Sequence, residues 1–247
     1  MDRVLEIDRE ELERSFDRRP FVVRHRVEEE PLFTIPALIE LARRLPECSV
    51  EYQSGRVPVG LDPAAAPKTG LSLTETLERI EDCASWVVLK HVEQVPEYRT
   101  LMDRALSEVA ETHSALCGAV LDPAAFVFVS SAASVTPYHI DPEHNFLLQI
   151  RGRKTMYVWS PEDREALPEE EIERFHAGGH RNLAFSDRLQ EKAAGFDLTP
   201  GDALHVPVTA PHWVRNGETV SISLSVTFRT PASYRREVLY RVNAHLR

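Results

Sequence analysis

Three cysteines in 247 residues, Cys48, Cys83 and Cys117, are too few and too scattered for a disulfide framework or a thiolate metal site. An odd, widely spread set points to reduced, buried thiols and a cytoplasmic protein. No apolar run approaches the roughly 20 residues that cross a bilayer as a helix, so no membrane association is expected. The opening stretch, MDRVLEIDREELERSFDRR, is charged throughout and has no signal-peptide core. Cationic excess is missing as well: 29 Lys and Arg stand against 39 Asp and Glu, a formal net charge of −10. That balance argues against a general nucleic-acid-binding face, and the small basic group Arg151, Arg153 and Lys154 is explained by a turn. The chain carries no internal repeat, low-complexity tract or long flexible linker. With 43% hydrophobic and 28% charged residues, it has ordinary globular composition and ample length for a sizeable core.

The pattern of what remains changes along the chain. Residues 1–84 read as mostly helical. Glu10 to Phe16 is predicted as a short helix, and Pro36 to Leu45 as a second, because Leu38, Leu41, Ala42 and Leu45 recur at helical spacing. Val57 to Gly70, rich in Pro, Ala and Gly, reads as a loop. Ser72-x-x-Glu75 fits a capping box at the start of a helix reaching Ile80. Trp86 to Val92 reads as a strand, and Tyr98 to His113 as an amphipathic helix with Leu101, Ala105, Val109 and Ala110 on one side. From Ala125 onward short strands alternate with turns; Thr199-Pro200-Gly201-Asp202 is the strongest turn signal. Many short strands of this kind indicate a sandwich or barrel over residues 85–230. Residues 231–247 form a closing helix whose apolar face, Val238, Leu239, Val242 and Leu246, suits packing on the barrel or on a second copy.

The chemistry concentrates in two segments. One reads Thr136-Pro137-Tyr138-His139-Ile140-Asp141; the other ends in Pro211-His212-Trp213. His-x-Asp plus one distant His is the ligand set of a 2-His-1-carboxylate iron site, which leaves open positions for a co-substrate and dioxygen. Residues two apart on a strand share a face, so His139 and Asp141 can meet one metal. Alone, His-x-Asp is a weak signal in a chain with ten histidines. The order of its surroundings strengthens it. The strand-like run Phe146 to Ile150 leads through Arg151-Gly152-Arg153 to Lys154 and a second run, Thr155 to Trp159, which reads as a hairpin with Gly in the bend. A buried Lys154 needs an anionic partner, and a dicarboxylate co-substrate supplies one; otherwise it is a hairpin-end lysine with its ammonium in water.

In combination these motifs resemble the cupin-like branch of the JmjC 2-oxoglutarate and iron(II) oxygenases, the branch that includes the asparaginyl hydroxylase of hypoxia-inducible factor. The matching segments are Phe16 with Arg19 to Arg24, TPYHIDPEHNFLLQIRGRKTMYVWSPED and TPGDALHVPVTAPHWVRN. The resemblance implies a double-stranded β-helix (jelly roll), mainly β with flanking α, in one domain spanning 1–247. It implies iron(II) held by His139, Asp141 and His212. It also implies 2-oxoglutarate held at its distal carboxylate by Lys154 and Thr136, with Asn145 near the chelating end. A polar side chain on a late strand is best matched by Ser225 and next by Thr227. A tyrosine often found on an early strand has no counterpart in Ser85 to Leu89. The implied activity is hydroxylation, rather than demethylation, of a peptide, a protein side chain or a small molecule, with release of succinate and carbon dioxide. Homodimers through a C-terminal helix occur in such relatives. Two other classes stay open: a metal-binding cupin enzyme that does not use 2-oxoglutarate, and an inactive regulatory or binding module.

The remaining histidines and aromatics have plainer readings. His144 is offset from the metal pair and reads as structural, and His205 as a barrel-wall residue. His176 and His180 lack the ligands for a second metal; Gly178-Gly179 between them suggests a mobile substrate loop or a surface insertion. Tyr138 and Trp213 flank the ligands and line the substrate pocket or simply fill the core. Glu169-Glu170-Glu171 reads as a solvated helix start after Pro168.

Overall fold

A computed structural model describes residues 3–60, 70–117 and 120–246. The first third contains β1 (Leu5–Glu6), α1 (Arg9–Ser15), β2 (Phe21–His25), α2 (Ile35–Arg44), β3 (Val50–Ser54) and α3 (Leu73–Glu78). There follow β4 (Ser85–Lys90), α4 (Pro96–Cys117), β5 (Leu121–Ser130), β6 (Val135–His139), β7 (His144–Arg151) and β8 (Lys154–Val158). A long connection carries α5 (Glu169–His176) and α6 (Asp187–Gln190). The chain ends with β9 (Ala194–Leu198), β10 (Asp202–Val206), β11 (His212–Asn216), β12 (Ser221–Arg229) and α7 (Pro231–Leu246).

The strands form two antiparallel sheets. One has eight strands in the order β1-β2-β10-β7-β12-β5-β4-β3; the other has four in the order β6-β11-β8-β9. Their inner faces share a small apolar core that includes Leu147 and Leu204 from the large sheet and Met156 and Val214 from the small one. This is the expected double-stranded β-helix. Period-two alternation explains the layering. On β12, Ile222, Leu224, Val226 and Phe228 face the outer core under the helices, while Ser225 and Thr227 face the space between the sheets. On β7, Phe146, Leu148 and Ile150 face outward and Asn145 and Leu147 inward.

The helices follow their local signals. Leu38, Leu41 and Ala42 of α2 are buried. The capping box at α3 forms, with Glu75 N–H donating to Ser72 Oγ at 3.3 Å and Ser72 N–H donating to Glu75 Oε2 at 2.9 Å. α5 starts after Pro168 with Glu169 and Glu170 exposed.

Several expectations need correction. The run from β7 to β8 is not a hairpin: β7 pairs with β10 and β12, and β8 with β11 and β9. The turn at Gly152 carries the chain from one sheet to the other. β11 gives no strand signal in the sequence because four of its five residues are buried, which hides any alternation. Among the described residues of the first 84, three strands accompany the helices, and β2 and β3 pair with β10 and β4. The apolar stripe of α7 does not pack on the barrel: Val238, Leu239, Val242 and Leu246 are 50–80% exposed. Cys48 is exposed and Cys83 half-buried, so these thiols are not core residues. Most of the loop expected from Val57 to Gly70, and the Cys117 side chain, lie outside what is described.

Candidate metal centre

β6 and β11 are neighbours in the small sheet, and their register sets His139 directly opposite His212. A bulge between His212 and Val214 shifts the pairing there, the kind of irregularity that re-aims a side chain. The two rings lie 4.1 Å apart between centroids. Each Nδ1 sits on a main-chain carbonyl, His139 on Pro137 O at 2.7 Å and His212 on Ala210 O at 2.8 Å. With Nδ1 as the donor, each Nε2 keeps its lone pair for a metal. Asp141 lies just past the end of β6. Its carbonyl accepts from Thr209 N–H at 2.9 Å, and its Oδ2 is 3.6 Å from both Nε2 atoms. One ligand atom from each residue lies within 4.8 Å of the others, the only such group among the described residues.

The donor set fits a divalent iron ion. Burial pushes the Asp141 carboxyl up, but His139, Arg181 and His212 around it outweigh that and hold it well below the usual carboxylate range. Burial and the neighbouring His139 push His212 down to about 3. The site therefore presents an anionic carboxylate and a neutral His212 at neutral pH, the forms that bind metal.

The other expected residues converge on the same pocket, a cavity of about 110 Å³ between the sheets lined by Thr136, Asn145, Lys154, Ser225 and Thr227 together with His139, Asp141 and His212. Lys154 is 6% exposed. Burial alone pushes its ammonium down to about 7; no anionic partner offsets it among the described residues. Ser225 Oγ donates to Asn145 Oδ1 at 2.6 Å, whereas the Thr227 hydroxyl is turned to Ala124 O at 3.2 Å. Ser225, not Thr227, is thus the late-strand hydroxyl joined to Asn145. Phe126, Phe128, Leu147, Met156 and Val214 form the apolar walls.

Two residues absent from the sequence reading also line the pocket. Arg181 Nη1 donates to Asp141 Oδ1 at 2.9 Å. Its segment is not a free loop: Ile140 N–H bonds Arg181 O, Leu183 N–H bonds Tyr138 O, and Asn182 bridges to His139, all along the edge of β6. Glu143 lies beside Asp141 and Arg229; burial and the Asp141 charge push its carboxyl up to about 7, with Arg229 opposing. A carboxylate two residues past Asp141 was its only sequence signal.

The aromatics are structural. Tyr138 donates to Ala166 O at 2.9 Å and Trp213 Nε1 to Gln190 Oε1 at 2.9 Å, both on the outer face of the small sheet. Neither lines the pocket. His144 and His205 lie in the outer core against Phe16. His176 stacks on Tyr240 of α7, and His180 Nδ1 accepts from Asn182 N–H.

Comparison with known proteins agrees with this architecture. Residues 71–234 match the model of a family described as a cupin-like domain. The chain is 34% identical over 101 residues to lysine-specific demethylase 8 of Danio rerio, covering 38% of this chain and 24% of that protein. It is 32% identical over 104 residues to Jumonji C domain-containing protein 5 of Drosophila melanogaster, covering 40% and 26%. Among solved structures, Escherichia coli ycfD superposes with a TM-score of 0.60 at 19% identity, over 94% of this chain and 55% of that one. YcfD, described as a ribosomal oxygenase, in complex with cobalt and 2-oxoglutarate gives 0.58 at 18% identity, over 93% and 54%. At that identity the likeness shows the fold. The chain matches about a quarter of the length of these curated relatives and spans just over half of the solved chains.

Proposed function

The chain belongs to the cupin-like domain family, and on that premise we propose that it is a 2-oxoglutarate- and iron(II)-dependent oxygenase that hydroxylates a peptide, a protein side chain or a small molecule. The observation that carries this reading is one pocket holding both a His139, Asp141, His212 triad and a buried lysine with no anionic partner among the described residues. A metal alone explains the triad; it does not explain Lys154. A dicarboxylate explains both, because one end chelates the metal and the other neutralises the lysine. YcfD has been solved with cobalt and 2-oxoglutarate, which supports the same pairing here.

Iron(II), 2-oxoglutarate and dioxygen would supply the oxidation, with succinate and carbon dioxide leaving. His139, Asp141 and His212 hold the metal. Lys154 fixes the distal carboxylate, with Thr136 as its hydroxyl donor. Asn145, tied to Ser225, stands at the chelating end. The apolar walls exclude bulk water and strengthen every charge interaction inside. Hydroxylation is the simpler assignment, since oxidative demethylation begins with the same step at an N-methyl carbon. Residues 1–247 act as one unit in this reading. The exposed stripe of α7 is the surface through which two copies would associate.

The test is an anaerobic titration of metal-free protein with iron(II) and then 2-oxoglutarate, followed by the visible metal-to-ligand charge-transfer band. The band is expected in the wild type, absent in Asp141→Ala and weakened in Lys154→Ala. Metal binding without a band would favour a cupin that does not use 2-oxoglutarate. No metal binding would favour a regulatory module.

A further inference from the structure

The metal pocket opens beside a second, larger concavity. A cleft of about 500 Å³ runs between the end of α5 and α7. The two spaces share the turn after Asp141: Pro142 lines the cleft and Glu143 the metal pocket. Arg229, at the end of β12, stands between them. It lies 3.4 Å from Glu143, pairs with Glu237 of α7, and sits 5.1 Å from the centre of the Tyr234 ring. The far wall is His176 and Gly178, and a side chain at Gly178 would meet nothing within 4 Å. Arg241 closes the α7 side; its Nε donates to His176 O at 3.2 Å, and its Nη1 is 3.6 Å from Glu237.

Size and charge together limit what fits. The metal pocket, at about 110 Å³, must already take the co-substrate, so it admits little more than one side chain of a substrate. A larger substrate must extend beyond it, and the cleft past Pro142 adjoins it through Glu143 and Arg229. Two guanidiniums, Arg229 and Arg241, line the cleft with the carboxylate of Glu237, and Glu143 pairs with Arg229 from the metal-pocket side, so Arg229 is fully compensated and Arg241 is the cation left to meet an incoming group. α7 itself is basic, with Arg235, Arg236 and Arg241 against Glu237 on a chain of net charge −10. Arg241 is 59% exposed and so available, whereas Arg229 is 19% exposed and already held by two glutamates.

We infer that this cleft is a second subsite that receives an acidic side chain of a polypeptide substrate while a nearby residue of the same polypeptide enters the metal pocket. Arg241 pairs with the incoming carboxylate. Arg229 keeps Glu143 and Glu237 in place, so that the wall between the two subsites holds its shape. The inference rests on the oxygenase reading and narrows its substrate to a polypeptide.

The test uses the full chain with iron(II) and 2-oxoglutarate and a degenerate peptide library, with oxidised products read by mass spectrometry. Products should carry Asp or Glu at one fixed offset from the oxidised residue, enriched roughly two- to fivefold, the range of an exposed ion pair. Arg241→Gln should abolish that enrichment, and Arg241→Glu should shift it to Lys or Arg. A labelled peptide taken from the enriched set should bind the anaerobic complex roughly two- to fivefold more weakly in Arg241→Gln, with the difference shrinking as salt rises. An acidic preference that survives both variants, products with no acidic offset, or no oxidised peptide from protein showing the charge-transfer band would each overturn the inference while leaving the oxygenase reading intact. Absence of the band itself would remove both.

Discussion

Arg181 and Asp141 divide the work of one carboxylate. Arg181 Nη1 holds Oδ1 at 2.9 Å, while Oδ2 faces both histidine Nε2 atoms at 3.6 Å. The guanidinium thus fixes which oxygen is offered to a metal and prevents the carboxylate from turning both oxygens inward. Removing such an outer partner weakens metal affinity by about 10- to 100-fold in comparable sites. Arg181→Ala is expected to raise the iron(II) or cobalt(II) dissociation constant by about tenfold, with Arg181→Lys recovering part of the loss. An unchanged constant in Arg181→Ala would show that β6 and Thr209 alone orient Asp141.

The proposed role of Lys154 gives 2-oxoglutarate binding a pH signature. Burial pushes its ammonium down to about 7 in the free protein, and a bound dicarboxylate would hold it protonated. Affinity for 2-oxoglutarate should therefore be full below about pH 7 and fall as pH rises above it, by up to about tenfold per unit until the pKa of the complex is reached. Lys154→Arg keeps its charge and should flatten the profile at a weaker baseline. Calorimetry at several pH values with a redox-inert metal measures this directly. A flat wild-type profile would take Lys154 out of the binding equilibrium.

His144 and His205 make the outer core sensitive to acid. Both are fully buried, and none of their four ring nitrogens has a hydrogen-bond partner among the described residues. Asp17 Oδ1 lies 3.4 Å from His144 Nε2. Burial, aided by Arg236, pushes His144 down to about 3, and burial beside His144 pushes His205 well below its ordinary range. Both rings are neutral when folded but take protons below about pH 6.5 when unfolded. Their contribution to stability is therefore constant above that pH and declines as pH falls, by up to about 1.4 kcal/mol per unit for each ring. His205→Phe, in a site already lined by Phe16, Phe21 and Phe146, should remove one ring's share of that slope. Urea midpoints measured between neutral and acid pH would decide it; an unchanged slope would exclude His205.

What was legible in the sequence was what fixed spacing encodes. His139, Asp141, Asn145 and Lys154 sit in one continuous segment whose alternation and turn place them, and all four line the pocket. His212 was legible from its motif even though β11 was not, because burial on both faces removes the period-two signal. The β7–β8 turn was misread for a related reason: alternation shows that two strands exist, not which sheet each one joins. Arg181 was missed because it reaches Asp141 from a segment 40 residues away, where its long side chain and irregular backbone leave no periodic trace. The exposed stripe of α7 was visible as an apolar face, but nothing in the pattern says what covers it.

Gly152 tests whether the crossing between the sheets, rather than a hairpin, positions Lys154. Its φ is +73°, and a Cβ there would lie 2.2 Å from Val220 O and 3.0 Å from Val220 C. An alanine must therefore adopt a left-handed conformation and also push the backbone leading into β12 aside. The combined strain and overpacking should destabilise the protein by at least about 2 kcal/mol. Gly178 separates the two effects: its φ is +98°, but a Cβ there meets nothing within 4 Å, so Gly178→Ala carries only the backbone part, on the order of 1 kcal/mol. Lys154 begins two residues after Gly152, and Ser225 follows Val220 on β12. Gly152→Ala should consequently weaken 2-oxoglutarate binding in the fraction that stays folded, whereas Gly178→Ala should not. Equal losses of stability in the two variants, or intact binding in Gly152→Ala, would mean that the turn can relax without moving the lysine.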